Sequence, residues 1–221
     1  MSFEGRVRQA RDLIAHELRA INTGPLLGGL AAACLIVGLG ARRRPAAPEG
    51  LLVLLIFAGL TIALGTAFIF DDPATDSISS TPTSLLERRF LRMALTGFPI
   101  AAVWGALLVF LRLWQGPGAA FGLPTLAFAA MLMFVLAAAA YGARVVADGL
   151  GGLIAGPALL VFVGLSRILP PRFHFFDARS GAGYSVSLRL SIVIGICAVA
   201  LLWASLDPGR VNHLRSRVRQ R

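Results

Sequence analysis

The chain has 221 residues, 57% of them hydrophobic and only 14% charged, with a mean hydropathy of +0.76, which excludes an ordinary soluble domain. Its 21 basic residues are all arginine and outnumber 11 acidic ones, for a net charge of +10. In a soluble protein that balance would point to nucleic acid. Here the arginines flank long apolar runs, where they serve as topology signals and as contacts to anionic membrane lipid, so no nucleic-acid partner is expected.

Residues 1–23 contain Glu4, Asp12 and Glu17 and no apolar stretch before Gly24, unlike a signal peptide. Phe3, Val7, Ala10, Ile14, Leu18 and Ile21 recur at helical spacing and fall in one stripe about 80° wide at 100° per residue. Arg8, Asp12, His16 and Arg19 point away from it. The pattern predicts an amphipathic interfacial helix over 1–23; docking on a neighbouring helix is the plainer alternative.

Six apolar runs follow, Pro25–Ala41, Leu51–Phe70, Ala94–Trp114, Phe121–Ala143, Gly149–Leu169 and Val186–Leu206. Each approaches or exceeds the roughly 20 residues that a helix needs to cross about 30 Å of hydrocarbon. The expected fold is all-α: a polytopic membrane protein with a six-helix transmembrane domain over 24–206 and a basic cytoplasmic tail over 207–221. The first run is the shortest and is rich in glycine, and the fallback is a segment that only dips into the bilayer.

With the N-terminus cytoplasmic, the inner side holds 13 arginines: Arg6, Arg8, Arg11, Arg19, Arg88, Arg89, Arg92, Arg144, Arg210, Arg215, Arg217, Arg219 and Arg221. The outer side holds eight: Arg42, Arg43, Arg44, Arg112, Arg167, Arg172, Arg179 and Arg189. The excess predicts a multi-pass protein of the cell membrane with both termini cytoplasmic, against which the Arg42–Arg44 cluster argues.

The stretch between the second and third runs reads D-D-P-A-T-D-S-I-S-S-T-P-T-S-L-L-E-R-R-F-L-R, from Asp71 to Arg92. Asp72 before Pro73 has the form of an N-cap with proline at the first helical position. Thr81–Pro82 repeats that signal, and Ser84 with Glu87 fits a capping box launching the next helix. These residues describe either a short helix across the inner face or a solvated loop with two turns.

With Phe70 added, this stretch resembles the loop between the second and third spans in actinobacterial proteins described as membrane subunits of type-2 ATP-binding-cassette exporters. The overall layout, an interfacial helix, six spans and a longer outer segment after the fifth, is similar to that family too. The resemblance implies a coupling helix that contacts a partner ATPase through Asp72, Pro73, Ala74, Thr75, Asp76, Ser77, Ile78, Ser79 and Ser80. It implies ATP and magnesium in that ATPase and no cofactor in this chain, and a second permease copy or a paralogous permease as a further partner. It also implies that the outer segment re-enters the outer leaflet. The residues themselves show Pro170 and Pro171 stopping the fifth span, and Phe173, Phe175 and Phe176 suited to a headgroup interface.

Within the runs, Gly152 and Gly156 form a G-x-x-x-G, a helix-packing pattern. Cys34 and Cys197 read as buried small hydrophobes, Pro99 and Pro157 as kinks, and Asp148 as a partner for Arg144 one turn away. No catalytic constellation is present. The chain has no lysine, which excludes a P-loop and a retinal Schiff base. His16, His174 and His213 lie outside the runs, against a haem held within the bilayer. The run centres carry no Asp, Glu, Lys, Arg or His, whereas ion-coupled carriers place acidic or basic groups there. The expectation is therefore a permease driven by a separate ATPase and translocating a hydrophobic or amphipathic substrate. An ion-coupled secondary transporter and an accessory membrane subunit are the alternatives.

Overall fold

The computed structural model describes residues 23–42, 48–71, 85–116, 121–145, 150–168 and 183–206. The predicted interfacial helix, basic tail, coupling segment 72–80 and outer segment 170–176 lie outside them. Six α-helices result: α1 (Thr23–Ala41), α2 (Pro48–Thr66), α3 (Leu85–Gln115), α4 (Gly122–Val145), α5 (Gly152–Ile168) and α6 (Gly183–Ser205). A 3-10 turn, Ala67–Phe70, tightens the end of α2. The protein is all-α and polytopic, with five helices long and apolar enough to span a membrane.

The fifth run differs from its expected length. α5 has 17 residues, a rise of about 25 Å at 1.5 Å per residue, short of a 30 Å hydrocarbon layer. The loss is at its N-terminal side, where the helix starts at Gly152 and not at Gly149. The third run extends the other way. α3 begins nine residues before Ala94, has 31 residues and so rises about 46 Å, carrying Glu87, Arg89 and Arg92 on the helix. Both α3 and α5 continue through their prolines, Pro99 and Pro157.

Because the helices are apolar on all sides, sequence pattern does not select a buried face; packing does. α2 and α4 form the centre, with 61% and 50% of their spans buried, against 28%, 28% and 22% for α1, α3 and α6. α4 is rich in alanine on its buried surfaces, with Ala127, Ala130, Ala137, Ala139 and Ala140. These small side chains let α2, α5 and α6 approach it closely. One apolar cluster joins α2, its 3-10 turn, α4, α5 and α6. A second joins α1, α2 and α3 around Trp104, which stacks on Phe128 of α4 at 4.2 Å.

The α1–α2 hairpin is the tightest contact. A Cβ at Gly65 would stand 2.7 Å from the Pro25 carbonyl oxygen and 3.2 Å from the Leu26 Cα, and one at Gly29 would meet the Thr61 carbonyl. Two glycines thus let the backbones touch, the small-residue packing that replaces the hydrophobic effect between helices in lipid. The outer faces keep large apolar side chains exposed, among them Phe98 at 79% and Ile168 at 81%, as lipid contact requires. Cys34 belongs to such a face. It is exposed and not buried, whereas Cys197 is buried as expected.

Candidate functional site at one end of the bundle

Four hydroxyl groups within the helices are satisfied locally. Thr61, Thr66, Thr96 and Ser166 donate to carbonyls three or four residues earlier, at 2.6 to 2.9 Å, which hides their polarity from lipid. One described polar atom near the bundle middle has no such outlet: the Trp104 Nε1 is buried and unpaired. Among the described residues no group of His, Cys, Asp and Glu is placed to hold a metal ion.

Chemistry concentrates instead at one end, where the C-termini of α2, α4 and α6 meet the N-termini of α1, α3 and α5. Asp71, directly after the 3-10 turn, is 8% exposed. Its Oδ1 accepts the backbone N–H of Gly152 at 2.7 Å, and the Gly151 N–H is also bonded to the carboxylate. The first amides of a helix have no intrahelical acceptor, and the positive end of the helix dipole favours an anion there. Asp71 therefore caps α5 from 81 residues away. Burial raises the Asp71 carboxyl above its ordinary 3.8, and the two amide hydrogen bonds counter that rise in part.

Gly152 is needed for this fit. A Cβ there would come 2.5 Å from the Phe68 ring and 2.8 Å from the Asp71 Oδ2. Gly156, one turn on, has only the Leu64 Cδ2 at 4.0 Å from the same point. Both glycines of the G-x-x-x-G thus face α2 and its 3-10 turn, Gly152 closely and Gly156 loosely. At the same corner a Cβ on Gly142 of α4 would lie 3.0 Å from the Gly151 carbonyl oxygen.

The opposite sign of dipole is capped beside it. Arg89 Nη1 donates to the Ala204 carbonyl at 2.6 Å, and Arg144 Nη2 donates to the Leu206 carbonyl. These are the last carbonyls of α6, which carry its partial negative charge. Arg89 also lies over the Phe70 ring and Arg144 over the Trp203 ring, each at 5.4 Å, at cation–π range. Arg89 and Arg92 are 7% and 6% exposed, so they are structural members of the bundle end and not solvated anchors.

Arg144 thus meets α6, while its expected partner Asp148 lies outside the described residues, as do Ser84, His16, His174 and His213. The coupling residues Asp72 to Ser80 and the outer residues Pro170, Pro171, Phe173, Phe175 and Phe176 also lie outside them. The nearest described positions are Asp71 at the root of the coupling segment, Leu85 where α3 resumes, and Ile168 and Gly183 around the outer segment.

Sequence reading missed Asp71 as a cap and Arg89 and Arg144 as partners of α6. A faint signal existed for the first: the Gly151–Gly152 pair that opens α5 carries no side-chain acceptor at either position. No family model matches this chain, and neither a curated protein nor a solved structure matches it.

Proposed function

We propose that this membrane protein is the permease subunit of an ATP-binding-cassette exporter, with both termini cytoplasmic, working as a dimer or beside a paralogous permease. A separate ATPase, carrying ATP and magnesium, drives alternating access for a hydrophobic or amphipathic substrate, and the chain itself catalyses no reaction. The observation that carries this reading is the absence of Asp, Glu, Lys, Arg and His from the span centres. A carrier coupled to protons or sodium needs a group there to bind the ion, so an uncharged bundle depends on energy from outside.

The anchoring of Asp71 supports the place assigned to the coupling segment. The described residues on either side of it are anchored: Asp71 is held on α5, and Arg89, in the first turns of α3, is held on α6. A push on that segment has two rigid points of entry, one on each side of α4.

The test is co-expression with the cognate ATPase, followed by affinity purification and a transport assay in vesicles. Ile78→Asp puts a charge into the proposed contact, where an unpaired buried charge costs several kcal/mol. The expected result is loss of ATPase association, or ATP hydrolysis uncoupled from transport, with the permease still inserted; a Ser180 substitution at the other end leaves both intact. Wild-type association and transport in Ile78→Asp would remove the coupling role. Solute movement on a proton or sodium gradient without any ATPase would replace the reading with a secondary carrier.

A further inference from the structure

Arg89, Arg92 and Arg144 stand close together at the Asp71 end, Arg144 and Arg92 near enough to repel the Arg89 charge. Like charges in a low-dielectric place raise one another's energy until an anion joins them. At this end Asp71 is committed to the α5 amides, and the end of α6 offers about half an elementary charge.

Two polar atoms in this corner are buried and have no partner, Arg144 Nε and the Ser205 Oγ. Ser205 sits between Ala204 and Leu206, whose carbonyls receive Arg89 and Arg144. An unpaired guanidinium N–H on α4 and an unpaired hydroxyl at the end of α6, beside a second guanidinium, form a donor set for an oxyanion such as phosphate.

The surroundings choose the source of that phosphate. Arg144 is half-buried, and Trp203, which it covers, is 57% exposed on the outside of the bundle. Below Trp203 the outward stripe of α6 continues through Val199, Ile196 and Ile192, all exposed. From Trp203 to Ile192 the helix rises about 16 Å, close to the half-thickness of a hydrocarbon core. A charged donor set capping an apolar track one leaflet deep fits a lipid and offers far more surface than free phosphate needs.

We propose that Arg144, Arg89 and Ser205 bind the phosphate of an anionic phospholipid, with an acyl chain lying along Trp203, Val199, Ile196 and Ile192. The site is independent of any ATPase, and basic pockets between membrane helices bind such headgroups elsewhere.

The experiment uses the full purified chain in neutral detergent, titrated with phosphatidylglycerol, with phosphatidylcholine or with inorganic phosphate, reading the melting temperature and, by native mass spectrometry, retained lipid. Phosphatidylglycerol should raise the melting temperature and remain bound where phosphatidylcholine does not, and phosphate alone should give no shift. Arg144→Gln should weaken phosphatidylglycerol binding roughly five- to tenfold. Ser205→Ala, a smaller change that preserves the fold, should weaken it in the same direction. Arg112→Gln, at the far end of α3, should bind as wild type. Equal effects of the two lipids, full reproduction by inorganic phosphate, or equal loss in Arg112→Gln would each overturn the site.

Discussion

Replacing Asp71 with alanine removes the acceptor for the first amide of α5 without disturbing any span. The bond is short, 2.7 Å, and the carboxylate is buried. A hydrogen bond to a charged group contributes about 1.5–3 kcal/mol, and a buried donor left unmade costs about 1–3 kcal/mol. Part of that loss is returned, because the carboxylate is itself destabilised by burial, as the raised pKa shows. A net cost of about 2 kcal/mol follows, which for a domain of this size lowers the melting temperature by roughly 4–8 °C.

Asp71→Asn keeps an oxygen acceptor, drops the buried charge and should melt within about 2 °C of wild type. The pH dependence has a definite sign. With a folded pKa above 3.8, the native state binds the proton more tightly than the unfolded one. Asp71 therefore contributes most below pH 3.8, and its contribution declines as pH rises through the folded value. Relative to the Asn variant, wild type should lose stability as pH rises over that range. The assay is fluorescence-detected thermal unfolding in detergent, scanned upward from about pH 4 for both proteins. An alanine variant that melts with wild type would show that the carboxylate does not hold α5, and the coupling route through Asp71 would go with it.

Gly65→Ala should destabilise by about 1–3 kcal/mol, since its Cβ would press on the α1 backbone. Gly28→Ala, with nothing within 4 Å, should be neutral or gain up to about 1 kcal/mol of helix propensity; equal melting temperatures for the two would contradict the hairpin contact. Single cysteines at Ala47 and Ser180, in a background lacking Cys34 and Cys197, should both react with an impermeant thiol reagent in intact cells. Labelling at Ser180 alone would remove the first crossing.

The membrane class and the number of apolar helices could be read from the sequence, because a span is a local property: about 20 apolar residues satisfy every backbone group within one segment. The expected start of α3 was legible for the same reason, since Ser84 and Glu87 signal it within one turn. Span length was less secure at α5, where glycines at 149, 151 and 152 left the start undetermined by hydropathy.

Tertiary structure decided the rest. The capping of α5 by Asp71 spans 81 residues and the reach of Arg89 to Ala204 spans 115, and no local pattern encodes either. In sequence Asp71 was one charge at the end of a run, and Arg89 and Arg92 were two of several arginines at an interface. Helices that are apolar on every side carry no stripe to say which face is buried, so Cys34 and Cys197 read alike although one is exposed and the other is not. Which helices touch was settled by close backbone approach at Gly29, Gly65 and Gly142, and by the room Gly152 leaves for Phe68 and Asp71. That approach gathers the polar ends of separate helices at one place, where the start of α5 takes Asp71 and the end of α6 takes Arg89 and Arg144.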